Sequence, residues 1–327
     1  MTNAVLTLQH YGQSLWYLPA PAPGASAGSL ADRIGADGAR GAWLGAGRLD
    51  DGAIRRMADL LLPTYARSRR KEGLVAMPLS AWLAHDPAAL LEEARRRLAQ
   101  LDRENLLPVL PATPAGLEVF EALLAEGRHA ALLPILSPAA VRDARRAWSR
   151  GIAAWVAAGG DAARPQAILA VDVAALDRAL DAGLATRLSL TTSERTGSTL
   201  ASLLGRAGLH VCRELWRTLR EDAGTARPAG AALPRMAWLT EGLAGTPARR
   251  RMLCEELVGP DTILLADTVT LDQLNRDANP TPRLLHGVDP ASVLDALAAM
   301  DISFERLAAR LGDRLIDERA DREDRAA

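Results

Sequence analysis

The stretch Asn105-Leu106-Leu107-Pro108-Val109-Leu110-Pro111-Ala112-Thr113-Pro114-Ala115-Gly116-Leu117 contains one complete passage from strand to helix. Leu106–Leu110 is a short apolar run of the length expected for a strand buried on both faces. Thr113-Pro114 then supplies a capping hydroxyl followed by proline at the first helical position, where no backbone donor is needed. A helix is therefore expected over Ala115–Leu124. A buried strand that leads at once into a helix is the repeating unit of a parallel sheet.

The same passage recurs on both sides of it. Strands are expected at Ser14–Leu18, Gly41–Leu44, Leu74–Leu79, Leu106–Leu110, His129–Leu136, Ala167–Val173, Arg235–Leu239 and Thr262–Ala266. Asp86-Pro87 opens a helix over Ala88–Leu101, and Ser137-Pro138 opens one over Ala139–Ala158, stopped by Gly159-Gly160. Eight strands with helices between them fit a closed (β/α)8 TIM barrel, an α/β fold. An open doubly wound sheet is the alternative, but no GxGxxG loop follows the first strand. Leu184–Ser198 is rich in Thr and Ser and is expected as a loop before a helix over Thr199–Glu221, and Ala223–Pro234 as a linker. Pro78, Pro108 and Pro134 fall in expected strands, which implies either local bulges or positions at strand ends. Residues 1–318 are expected to form one barrel domain and 319–327 a charged, disordered tail.

Hydrophobic residues make up 49% of the 327 positions, ample for a packed core, and aromatics only 4%, so Ala, Leu and Val must fill it. The 39 basic and 40 acidic residues nearly cancel, which leaves no electrostatic footprint for nucleic acid or an anionic membrane as partner. Cys212 and Cys254 lie far apart and suit buried thiols in a reducing compartment. No secretory leader and no apolar run of membrane-spanning length is seen, so a cytoplasmic protein is expected. The sequence has a single lysine, Lys71.

The stretch from Asn105 to Leu117 resembles the transaldolase signature that surrounds the Schiff-base lysine, which in the actinobacterial-type branch reads approximately NLFIKIPGTPEGL. Gln13-Ser14-Leu15-Trp16 is similar to that family's opening QSLW, Glu255-Glu256-Leu257-Val258-Gly259-Pro260-Asp261-Thr262 to its DELIGPDT, and Val293–Leu297 to its closing helix. The resemblance implies a transaldolase-like barrel of sugar-phosphate (pentose phosphate) metabolism. Such an enzyme moves a dihydroxyacetone unit through a lysine Schiff base and needs no metal or organic cofactor.

Carried over position by position, the resemblance puts Val109 where the family has its lysine. Leu18 and Pro78 fall on the family's two acid/base carboxylates. The second-strand motif falls on Leu44-Gly45-Ala46-Gly47, the fifth-strand Asn and Thr on Ala131 and Leu133, and the phosphate-clamping Ser-Arg pair on Val171-Asp172. Schiff-base chemistry requires an amine nucleophile. Lys71 precedes the third strand, at the rim opposite the catalytic face of such barrels. The expectation is a barrel with an apolar mouth, acting as a catalytically inactive binder of a small molecule or of an active sugar-phosphate enzyme. The alternatives are a repurposed enzyme with a new acid/base residue, and a true transaldolase.

For the repurposed enzyme the candidate mouth residues are Asp172, Thr240 and Glu241; the simpler reading of the carboxylates, Asp267 included, is helix N-caps or solvated loops. His10, His85, His129, His210 and His286 lack metal-ligand spacing and are expected to be structural or exposed, with His129 at the barrel bottom. Arg249-Arg250-Arg251 could hold an anion, or simply form a solvated helix face. Thr191–Glu194 is expected to cap a helix.

Overall fold

The computed structural model describes residues 4–19, 31–34, 38–45, 50–221, 227–240, 247–277, 280–285, 290–300 and 302–326. Eight parallel strands close on themselves in chain order. They are β1 (Gln13–Tyr17), β2 (Ala42–Trp43), β3 (Val75–Pro78), β4 (Leu106–Pro111), β5 (Ala130–Leu133), β6 (Ala167–Asp172), β7 (Arg235–Leu239) and β8 (Thr262–Ala266). β1 pairs with β8 over five residues, from Gln13 opposite Thr262 to Tyr17 opposite Ala266, and this ladder seals the barrel. The chain is thus a (β/α)8 barrel, and the open-sheet alternative is set aside.

The helices are α1 (Ala4–His10), α2 (Asp51–Arg67), α3 (Pro87–Leu101), α4 (Pro114–Ala125), α5 (Pro138–Ala157), α6 (Val173–Leu190), α7 (Glu194–Leu203), α8 (Ala207–Arg220), α9 (Pro247–Glu256), α10 (Thr268–Asp277), α11 (Pro290–Ala299) and α12 (Phe304–Ala326). Local chemistry starts them where expected. Asp86, Thr113 and Ser137 accept hydrogen bonds from the backbone N–H groups of Ala89, Gly116 and Ala140, each with proline next in the chain. Ser193 likewise caps α7 through Thr196 N–H.

Two expectations about helices are corrected. Residues 184–190 continue α6 and 194–198 begin α7, so the polar stretch is mostly helical; only 191–193 stays irregular. Leu184 within it and Leu200 and Leu203 just beyond it are buried, and that packing outweighs the weak helix propensity of Ser and Thr. The tail expected to be disordered is helical as far as Ala326, because Leu311, Leu315, Ile316 and Ala320 form a buried stripe that docks α12 onto the barrel. Of the expected linker, the described residues 227–234 carry neither helix nor strand.

The strand alternation sorts side chains into two cores. Leu106 and Leu110 point outward and pack against the helices, whereas Leu107 and Val109 point into the barrel. The interior is filled by Trp16 and Trp43 together with small and medium apolar residues. The prolines fall mainly at strand ends: Pro78 is the last residue of β3 and Pro134 lies just past β5. Pro108 alone sits mid-strand, opposite Met77.

At the N-terminal end of the strands the barrel floor is polar and closed. The Glu72 carboxylate accepts from Ser14 Oγ (2.5 Å), Trp16 Nε1 (3.1 Å) and Arg235 Nη1 (2.8 Å). Arg235 also donates to the Lys71 carbonyl (2.6 Å) and lies over the Trp16 ring. His129 sits at the same end, as expected. Its Nε2 meets the Tyr65 hydroxyl at 2.9 Å and its Nδ1 accepts from Gln166 N–H. Burial holds its pKa down at about 3, so it is a neutral structural imidazole.

Candidate active site at the barrel mouth

The opposite, C-terminal end of the barrel opens into a cavity of about 220 Å³ lined by Leu18, Trp43, Leu133, Asp172 and Leu239 from the strand ends, with Arg178 from α6. Gly45 and Pro134 add to this lining, and a further wall comes from α12, through Leu315, Glu318, Arg319 and Arg322. Leu18 is buried in the cavity wall, and Pro78 is half-buried at the end of β3. Val109 is 2% exposed in the barrel interior, opposite Pro78 on β3 and Ala131 on β5.

Asp172 is the last residue of β6 and also the N-cap of α6, its Oδ1 accepting from Ala175 N–H at 2.8 Å. Asp172 thus caps a helix and lines the cavity at once. Burial pushes its carboxyl above the usual carboxylate range, although the Ala175 N–H and the charges of Arg178, Arg319 and Arg322 pull the other way. Thr240 is buried and donates to the Leu265 carbonyl (2.8 Å), so its hydroxyl is used within the barrel wall. Glu241 and His286 lie outside the described residues, as do Ala46 and Gly47.

The expected apolar mouth is corrected. Three guanidinium groups and two carboxylates line it, and the arginines stand beside Asp172. Most of this charge arrives on α12, whose last residues were expected to lie outside the barrel domain. A signal was present: positions 315, 318, 319 and 322 follow the i, i+3, i+4, i+7 spacing of one helix face.

The other candidates fall elsewhere. Lys71 lies by the floor, with Nζ 3.1 Å from Asp261 Oδ1 and its side chain 53% exposed. Arg249 is not a solvated cation: it pairs with Asp177 (2.7 Å) and Asp181 (2.5 Å) of α6 and pins α9 there. Asp267 caps α10 through Thr270 N–H. Cys212 and Cys254 are free and buried, and burial raises both thiols, Cys254 to about 12, so neither is a nucleophile. Among the described residues, no group of His, Cys, Asp and Glu could hold a metal ion, and no helix is long and apolar enough to cross a membrane.

Since burial of charge dominates at Asp172, its folded-state pKa lies above its unfolded value. Its ionisation therefore opposes folding, and stability falls as pH rises from the ordinary carboxylate range through the raised titration. Asn caps helices as well as Asp. Asp172→Asn is accordingly expected to raise stability at neutral pH, by up to about 1 kcal/mol, and to flatten that slope. Asp172→Ala should instead lose about 1 kcal/mol with the cap. Urea melts from pH 4 to 8 check this; an Asn variant as unstable as the Ala variant would show that the charge itself stabilises the fold.

Fold and mouth define a (β/α)8 barrel whose C-terminal face is roofed by its own last helix. A model of the transaldolase/fructose-6-phosphate aldolase family matches residues 46–323. The chain is 32% identical over 265 residues to the transaldolase of Thiobacillus denitrificans, covering 80% of this chain and 72% of that protein. It is 30% identical to the transaldolase of Neisseria gonorrhoeae, covering 79% and 71%. The transaldolase of Mycolicibacterium smegmatis is 29% identical, with 77% and 67% covered. The chain belongs to the transaldolase/fructose-6-phosphate aldolase family.

Proposed function

We propose that this barrel forms no Schiff base on β4 and acts by binding a small polar ligand in its mouth. The observation that carries this reading is Val109, an inert side chain at the inward-facing β4 position, in a sequence whose one lysine lies at the opposite end of the barrel. An imine requires an amine near the substrate carbonyl, and barrel chemistry takes place at the C-terminal face. Lys71 meets neither condition, since it neighbours the closed floor and pairs with Asp261. The cavity supports the binding half of the proposal: three guanidinium groups and two carboxylates converge on a recess that Leu18, Trp43, Leu133 and Leu239 also line, a make-up suited to a polar ligand.

The test is turnover of fructose 6-phosphate with erythrose 4-phosphate at high protein concentration, together with borohydride trapping read by intact-mass spectrometry. The expected result is no turnover above a heat-killed control and no trapped adduct. Turnover with an adduct on Lys71 would overturn the reading and make the chain a true transaldolase.

A second reading, a repurposed enzyme, is favoured by Asp172. A carboxyl raised by burial, in a cavity and beside cations, is the environment of a general acid. On this reading a substrate found by screening loses its turnover in Asp172→Asn while the fold is kept.

A further inference from the structure

The mouth divides into two chemistries by depth. The strand ends that floor it contribute Leu18, Trp43, Leu133 and Leu239, all buried, and a single polar side chain, Asp172. Below them the barrel interior stays apolar, with Val109 on β4 and Leu265 on β8. The end of β3 is Pro78, which offers no polar side chain. The end of β7 is followed by Thr240, whose hydroxyl is spent on the Leu265 carbonyl (2.8 Å). Of the two Asp172 oxygens, one already accepts from Ala175 N–H. The floor therefore holds almost nothing that could bond a row of ligand hydroxyls. A hydroxyl carried into an apolar site without a partner loses its bonds to water and gains none.

Charge sits at the outer edge instead. Arg178 of α6 and Glu318 and Arg322 of α12 are exposed, and Arg319 is half-buried beside them. With Asp172 and Glu318 both ionised, three guanidinium groups against two carboxylates leave one net positive charge among the described lining residues. A planar guanidinium matches the geometry of a carboxylate. A singly charged anion at this rim meets attraction, whereas each further negative charge is set against Asp172 and Glu318.

We propose that the mouth is selective for a small organic acid with an apolar body, its carboxylate held at the arginine rim and its hydrocarbon part lying on Trp43 and the leucines of the strand ends, and that it discriminates against polyhydroxylated ligands such as sugar phosphates. This rests on the reading of the mouth as a binding site and names the class of ligand that the site takes.

The test is a ligand-observed NMR titration of the whole chain with four probes: hexanoate, its neutral amide hexanamide, its hydroxylated counterpart gluconate, and fructose 6-phosphate. Hexanoate is expected to bind at least about tenfold more tightly than gluconate, which has the same carboxylate but carries hydroxyls onto apolar strand ends. Hexanamide, with the same chain and no charge, should bind about fivefold more weakly than hexanoate. Arg322→Glu changes an exposed residue of the rim, so the fold is kept. It should weaken hexanoate about fivefold and leave hexanamide unchanged. Arg310→Glu, exposed on the same helix and outside the cavity lining, should change neither. Gluconate or fructose 6-phosphate binding as tightly as hexanoate would overturn the selectivity and still leave the mouth a binding site. Hexanamide matching hexanoate, or hexanoate indifferent to Arg322→Glu, would overturn the arginine rim as the carboxylate site. Absence of binding by hexanoate would overturn the inference outright. The failure of the parent reading is seen separately, as turnover with an adduct on Lys71.

Discussion

Arg235→Ala is expected to destabilise the barrel by roughly 3–5 kcal/mol, a fall in Tm of about 4–7 °C. Arg235 and Glu72 are 5% and 6% exposed and 2.8 Å apart at the barrel floor. Neither ion could be buried there alone, since an isolated charge in an apolar interior costs several kcal/mol. Removing the guanidinium leaves Glu72, among the described residues, with the Ser14 and Trp16 donors, and removes the bond to the Lys71 carbonyl and the cover over the Trp16 ring. The paired replacement Glu72→Gln with Arg235→Met should recover much of the loss, because no unpaired charge remains. Urea melts of the two single variants and the double variant close a cycle whose coupling energy isolates the pair. An Arg235→Ala variant within about 1 kcal/mol of the parent would mean that water reaches the floor and screens the charge.

Gly116→Ala is expected to destabilise by about 2–3 kcal/mol, although alanine is the better helix former by about 1 kcal/mol. Gly116 is the third residue of α4, and a Cβ there would collide with the Pro111 carbonyl oxygen at the end of β4, a backbone atom that cannot swing away. Its N–H also completes the Thr113 cap at 3.0 Å, so relief of the clash would pull the cap apart. The P-x-T-P-x-G-L run, which carries the family resemblance, is thereby explained as geometry. Thr113 and Pro114 start the helix, and the absent side chain at 116 lets it start directly against the strand. Thermal melts decide the sign: a neutral or stabilised variant would show that the strand-to-helix junction has room to give.

Much of the mouth was legible. Asp172 could be read as a helix cap near a strand end, and the strand of Val109 was plain, but Leu106–Leu110 is apolar throughout, so only the closed barrel shows that Leu107 and Val109 face inward. The charged character of the mouth was not legible. Arg178, Arg319 and Arg322 are more than 100 residues apart in the extreme, and nothing local says that a charge-rich terminal helix crosses the barrel. The floor pair was hidden in the same way, since Glu72 and Arg235 are 163 positions apart and each reads locally as an ordinary charge beside a strand.

The sequence by itself determined the barrel, because capping chemistry and apolar periodicity are short-range and each βα unit writes its own. It also determined that the β4 position carries no amine. Only the tertiary structure decided where the charges meet: which carboxylate is stripped of water, which arginines stand over it, and that the last helix is a roof. Those effects depend on distance through space and on exclusion of solvent, and closure of the barrel sets both.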